Sequence, residues 1–447
     1  MGATSAAWLG WIANLGHDTY SYPWWVTEQQ LGCKCKVDIA KSPRSVACME
    51  DGTPVSWRSA VSSGSSSLTY CLCKQWLLEH MPEFDLHFLP NAMTVNGTSM
   101  LDDVIAFTLM ADKAAAYSPT IPLGMKLAYI LPYAAYHESR QNWRPLLFAK
   151  FFGLVANATS VEAAMARLLA PNVFLEWTSH YWPSSPRQAG EAGTYQIKWS
   201  SSTAPPVVAP LDFVAYGYGS CSAWATFVTY VMRSVGLPAR QAGTPCWNGG
   251  NFGGLASRNP NVSVCWHGGS SALGHGGQYL YNHNWAEVFV PPSALPNDAS
   301  PAPLAGASRS GWTFVNVPPQ SKLPDEGLCG SDFDASHGCG FDPTAAKGAE
   351  CEKASGPGAA MQDHEIFAVT WSQPDDEEAL ERTSDPTVEE GGPVLSVAGR
   401  VLTDGHTPLT PLVWASQLTS PLGEPLRDVG LRVVNRTDFY RCKPKIA

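Results

Sequence analysis

Trp224, Phe227, Val228, Val231, Met232 and Val235 recur at three- and four-residue steps, which is the spacing of one apolar face of a helix. Gly236 suits a left-handed residue after the last turn and Pro238 prevents continuation, so the helix is expected to stop there. Two later stretches alternate residue by residue instead. The runs 283–291 and 311–320 read as short strands, the first ended by Pro291 and Pro292. The stretch 363–371 alternates in the same way, and 394–402, 411–415 and 429–434 carry strand signals late in the chain. Upstream, 101–107 and 161–169 each present a single apolar face, so a helical region is expected from about Leu101 to Trp177.

These patterns divide the chain. Residues 1–85 form a segment bearing tryptophan and cysteine, with a flexible serine-rich tie at 62–67, and residues 86–209 form a helical lead-in. A core follows at 210–373, then an acidic linker at 374–392 containing Asp375, Asp376, Glu377, Glu378, Glu389 and Glu390. A β-rich module is expected at 393–447, small for a complete sandwich.

The chemistry concentrates in the core. Cys221 falls on the first turn of the helix, where unpaired backbone N–H groups and the positive end of the macrodipole favour thiolate over thiol and can receive an oxyanion. The plainer reading is one more buried cysteine. His283 opens the first strand, and Asn316 is a polar amide among apolar neighbours in the second. A buried Asn needs partners. If the strands are adjacent, Asn316 can hold one ring nitrogen of His283 while the other faces the sulfur, the arrangement of nucleophile, base and orienter in thiol catalysis.

Together these residues resemble the transglutaminase-like superfamily. The resemblance rests on G-x-C-x-x-W at Gly219 to Trp224, R-x-x-G-L-P-A-R at Arg233 to Arg240, H-x-W-x-E-V at His283 to Val288, and W-x-x-x-N at Trp312 to Asn316. A weaker similarity to the helical lead-in of bacterial transglutaminase-like domain proteins covers Ile130 to Glu138, then Trp143 and Arg144. The resemblance implies an α+β fold: a papain-like core of a helix packed on an antiparallel sheet, with the helical N-terminal extension and the small C-terminal β module around it. It implies a catalytic Cys221, His283 and Asn316, with Tyr218, Trp224 and Trp285 as candidates for substrate or oxyanion contact, and Arg240 and Glu287 as structural partners. The implied activity is acyl transfer or hydrolysis on a protein or peptide amide through a thioester, in a transferase, amidase or protease.

Two departures narrow what the resemblance carries. Most family members have Asp where this chain has Asn316; an amide orients imidazole but adds no negative charge. The cross-linking enzymes have Gln before the nucleophile where this chain has Ser220. A thiolate–imidazolium pair leaning on the helix terminus is therefore expected. Two rival readings are a non-catalytic binding or structural module on the same fold, and a zinc hydrolase built on Cys246, Cys265, His267 and His275.

Composition bounds the rest. The 447 residues are 45% hydrophobic and 15% charged, with net charge −10, so the chain is expected to fold and shows no basic cluster for nucleic acid. No apolar run approaches the roughly eighteen residues of a membrane span. No metal or other cofactor is expected, and oligomeric state is open. Among twelve cysteines, Cys33, Cys35, Cys48, Cys71 and Cys73 sit where disulfides or surface thiols are more natural than zinc, since one-residue C-x-C spacing is unusual for a structural metal. With sequons at Asn96, Asn157, Asn261 and Asn435, this suggests an extracellular or secretory-lumen protein, although residues 1–20 lack a clear signal peptide.

Overall fold

A computed structural model describes residues 22–38, 45–81, 85–86, 89, 99–135, 138–170, 173–174, 176–178, 194–199, 209–244, 273–274, 278–279, 283–291, 312–315, 317, 367–370, 395–396 and 432–435. Helix α1 (Trp24–Gly32) runs directly into an antiparallel sheet of β1 (Cys33–Asp38), β2 (Ser45–Glu50) and β3 (Thr53–Val55). Burial alternates along β1 and β2, so Cys33, Cys35, Val46 and Cys48 share the inner face. After the short helix α2 (Trp57–Ser62), helix α3 (Tyr70–His80) covers that face, its first turn capped by the Thr69 hydroxyl accepting from the Leu72 amide at 3.3 Å. Sulfurs meet where helix and sheet touch. Disulfides join Cys33 to Cys71 and Cys35 to its cross-strand neighbour Cys48, while Cys73 stays a buried thiol.

The helical region expected after residue 100 contains α4 (Met100–Ala114), α5 (Leu123–Tyr129), α6 (Arg144–Val155) and α7 (Val161–Leu168). Ser99 and Ser160 cap α4 and α7 through their hydroxyls. The lead-in similarity at Ile130 to Glu138 does not continue the helix. Helix α5 ends at Tyr129, before Pro132, and the carbonyls of the following irregular stretch are taken by two buried arginines. Arg144 donates to Ile130 and Leu131, and Arg233 donates to Ala134 at 2.7 Å. Arg144 also donates to the Arg233 carbonyl at 2.9 Å, tying this stretch to a later helix.

Strands β4 (Glu176–Thr178) and β5 (Thr194–Gln196) pair with each other, and β6 (Lys198–Trp199) runs parallel to β7 (Tyr218–Gly219), which follows helix α8 (Pro210–Tyr216). Helix α9 (Cys221–Ser234) is buried along its whole length, packed against α6 and, through other faces, against β8 (Ala239–Thr244) and β11 (His283–Phe289). It stops as its sequence requires, with Gly236 at φ +86° and the Leu237 amide closing onto the Met232 carbonyl at 2.9 Å. Between β8 and β11 lies the small pair β9 (Leu273–Gly274) and β10 (Gln278–Tyr279).

The core sheet is antiparallel throughout. It is completed by β12 (Trp312–Val315), β13 (Phe367–Thr370), β14 (Leu395–Ser396) and β15 (Arg432–Asn435), in the order β12-β11-β8-β13-β15-β14. The strands within 393–447 therefore extend the core sheet, where that stretch was expected to stand as a module of its own. An unpaired β13 edge would leave backbone N–H and C=O groups open, and β15 pairs them. The expected strand at 411–415 and the acidic linker 374–392 lie outside the described residues.

Arg240 on β8 and Glu287 on β11 stand opposite each other in register, both fully buried, with Nε 2.7 Å from Oε2. The guanidinium lies 3.7 Å from the centroid of the Trp312 ring and donates to the Tyr129 hydroxyl at 3.2 Å. Planar stacking and a forked donor explain why arginine occupies this position. Removing either partner strands a buried charge, so Arg240→Ala and Glu287→Ala should each lower stability by about 3–5 kcal/mol in urea titrations, with Arg240→Lys no adequate substitute. Reducing the two disulfides, which close loops of 38 and 13 residues, should lower the midpoint of thermal unfolding, each link being worth roughly 3–4 kcal/mol by loop length. A melting curve unchanged by a phosphine reductant would contradict that.

Candidate active site

The turn before α9 is built to present its first residue. Gly219 lies so close to its neighbours that an added Cβ would stand 2.7 Å from the Ala223 Cβ and closer still to the Phe213 ring. Ser220 is the N-cap residue, its carbonyl accepting from the Trp224 amide at 3.0 Å, but its side chain makes no capping bond and its Oγ is buried without a partner among the described residues. Cys221 is the first helical residue, 8% exposed and in no disulfide. The N–H groups of this turn have no acceptor within the helix.

Facing the sulfur is the beginning of β11. Asn284, itself buried, donates from Nδ2 to Ser222 Oγ at 2.9 Å and reaches Cys221 Sγ at 3.9 Å. The main-chain N–H of Asn284 also donates toward the sulfur, as do the amide and hydroxyl of Ser222. The His283–Asn284 peptide thus lies against the thiol. Pairing with β8 sets this placement: His283 is opposite Thr244, Asn284 opposite Gly243, and three residues on, Glu287 opposite Arg240.

Burial changes the electrostatics expected from the helix terminus alone. Desolvation pushes the Cys221 thiol above its ordinary value, and hydrogen bonds from Asn284 and Ser222 pull it only part of the way back. A terminus depresses a thiol most when the sulfur keeps contact with water, and this sulfur has little. The neutral thiol is therefore the favoured form of Cys221.

Of the other candidates, Trp224 and Trp285 are fully buried. Trp224 packs edge-on against Phe213 at 4.8 Å between ring centroids, and its indole N–H has no partner among the described residues. Tyr218 is half-buried, its ring 6.4 Å from that of the exposed Tyr216. Arg240 and Glu287 are engaged with each other and with aromatic rings. His283 is placed by its backbone at the start of β11. Its side chain, Asn316, and the quartet Cys246, Cys265, His267 and His275 lie outside the described residues. Among the described residues, one group of cysteine, histidine and acidic side chains is close enough to hold a metal, Cys33 with Cys35 and Cys71, and those sulfurs are in disulfides.

Asn284 is the site residue that motif reading passed over. Its signal was present: an amide in an alternating strand among Trp285, Ala286, Val288 and Phe289 needs partners for the same reason as Asn316. Residues 188–316 match the model of the Transglutaminase-like superfamily. No curated protein and no solved structure matches the chain. No helix among the described residues is long and apolar enough to cross a membrane.

Gly219→Ala tests the presenting turn. The new methyl must displace the Phe213 ring or helix α9, so stability should fall by about 1–3 kcal/mol and alkylation of Cys221 should change rate while that of Cys73 does not. Peptide mapping after iodoacetamide treatment, alongside urea unfolding, reads both.

Proposed function

We propose that this chain, whose residues 188–316 are a core of the transglutaminase-like superfamily, is a cysteine-dependent acyltransferase or amide hydrolase acting on protein or peptide amides. The superfamily commonly performs acyl transfer or hydrolysis through a cysteine. The observation that carries the reading is Cys221 at the first turn of α9, with the peptide leading out of His283 laid against its sulfur. In the proposed reaction His283 takes the thiol proton as Sγ attacks the substrate carbonyl carbon, making a tetrahedral oxyanion. The amide N–H groups of the first turn of α9 meet that charge, and the indole N–H of Trp224, without a partner among the described residues, is assigned as a further donor. Collapse expels the amine, which leaves with the proton held by His283, and a thioester on Cys221 remains. Water or a second amine then attacks the thioester, giving up a proton to His283, and Sγ departs with it. Asn316 is assigned the role of orienting the His283 ring.

Because burial raises the thiol, His283 serves in this reading as a base during attack, with the neutral thiol as the resting form. Trp285, fully buried behind the strand, keeps the β11 face packed and is assigned no contact with substrate. The half-buried Tyr218 is the aromatic left to meet one. The two disulfides support an oxidising compartment, extracellular or within the secretory lumen.

Iodoacetamide labelling of the native protein between about pH 5 and 8, read by peptide mapping, tests the assignment. Cys221 should label faster than Cys73, and His283→Ala should slow it at pH 6 by about tenfold or more, the equivalent of one pKa unit. Labelling of Cys221 that is as slow as Cys73 and indifferent to His283→Ala would leave a thiol-enzyme fold used for binding.

A further inference from the structure

Asn284 is an expensive residue to bury. An amide taken out of water costs on the order of 1–3 kcal/mol for each group left unbonded, yet this one is 1% exposed and its Oδ1 has no partner among the described residues. Among the described residues only the NH2 end is engaged. It is spent on Ser222 Oγ at 2.9 Å and toward Cys221 Sγ at 3.9 Å. With a donor already supplied to its oxygen, the Ser222 hydroxyl keeps its own hydrogen to point at the sulfur, and its oxygen is polarised to do so.

The geometry points to Asn284 and Ser222 as a donor pair that positions the Cys221 sulfur and takes up its charge when the thiol proton leaves, an inference that rests on Cys221 being the nucleophile. The pair completes what the helix terminus begins. The Ser222 amide approaches the sulfur from α9, while the main-chain and side-chain N–H groups of Asn284 approach it from β11. Ser222 links the two by joining helix to strand. No bond is made or broken in this step beyond the transfer of the thiol proton to His283; the donors lower the energy of the anion left behind. They are positioning residues for the sulfur, and they also differ from His283 in kind, since neither accepts the proton.

The ionisable residues placed at this end of α9 are Asp212 on α8, Tyr218 on β7 and His283 at the start of β11, whereas Arg240 and Glu287 lie toward its other end, where Arg233 donates to the Ala239 carbonyl. Arg240 and Glu287 offset each other. The arginine of α6, Arg144, is directed to the far end of α9, where it reaches the Arg233 carbonyl. The test is therefore cleanest in the His283→Ala background, where the alkylation profile of Cys221 titrates the thiol without its base.

In that background the pH midpoint for iodoacetamide labelling of Cys221 should rise by about one unit in Asn284→Ala and by more in Asn284→Asp, which sets a carboxylate oxygen where the NH2 group stood. Ser222→Ala should raise it by a smaller amount. The limiting rate at high pH should stay within about twofold, because the fully formed thiolate is the same nucleophile. A residue that merely held the strand in place would alter thermal stability or the limiting rate and leave the midpoint where it was. Equal midpoints in all three variants and their parent would overturn the inference. Should the Asn284 variants fail to fold, Ser222→Ala decides alone by the same criterion. The two readings fail separately: if wild-type Cys221 is indifferent to His283→Ala the nucleophile assignment falls, whereas His283 dependence together with Asn284-independent midpoints removes only the donor pair.

Discussion

The buried ion pair between Arg240 and Glu287 fixes the register on which the rest of the core depends. The two residues are cross-strand partners, and a slip of β11 by one position would turn Glu287 to the other face and leave two charges unpaired in an apolar interior. The penalty for that error exceeds anything the apolar side chains of the strand could recover by repacking. Trp312 brings β12 into the same lock, since its ring covers the guanidinium, and Tyr129 brings in the end of α5. With β11 pinned three residues downstream, the peptide between His283 and Asn284 has one place to lie, at the mouth of α9. Neither member of the pair touches the sulfur, yet the Asn284 groups that reach it owe their position to the register the pair holds.

The thiol itself shows two physical effects in opposition. A helix terminus favours the anion, and burial favours the neutral form. For Cys221 burial prevails, because α9 is enclosed on several faces and its first turn shares in that enclosure. In the proposed reaction such a site separates nucleophilic strength from resting charge: the sulfur rests neutral, and hydrogen-bond donors already stand beside it.

Much of this was legible in the chain. The span of α9, its glycine stop and the start of β11 at His283 all follow from spacing, because a helix face and a strand alternation are local properties, and the structural role of Arg240 and Glu287 came with the family resemblance. What escaped was non-local. Asn284 meets Ser222 across 62 positions, and nothing near either residue announces the meeting. The raised thiol was hidden for the same reason, as the terminus is visible in ten residues and its burial depends on α6, α8, β8 and β11 together. The C-x-C pairs pointed to disulfides or thiols, and both occur, but the partners, Cys33 with Cys71 and Cys35 with Cys48, and the free Cys73, were set by a helix crossing a hairpin. The strands near 395 and 432 looked like a separate unit because a strand signal says nothing about which edge it will join.

The order of the core sheet has a bearing on how the chain is made. Its centre, β8, is synthesised well before β13, the neighbour on its far side, and β13 in turn pairs with a strand at Arg432–Asn435. At about 5–20 residues per second, a ribosome takes many seconds to travel from β8 to the last strand. Throughout that interval helix α9 and the apolar faces of β8 and β11 exist without their full complement of neighbours, and an open strand edge is a place where another nascent chain can add itself. The N-terminal hairpin and its covering helix, by contrast, assemble from sequence neighbours and can be sealed by their two disulfides early. Synthesis therefore runs from a part that can close on itself to a part that stays open until the strand at Arg432–Asn435 has emerged, and the later part is where chaperone attention would be needed.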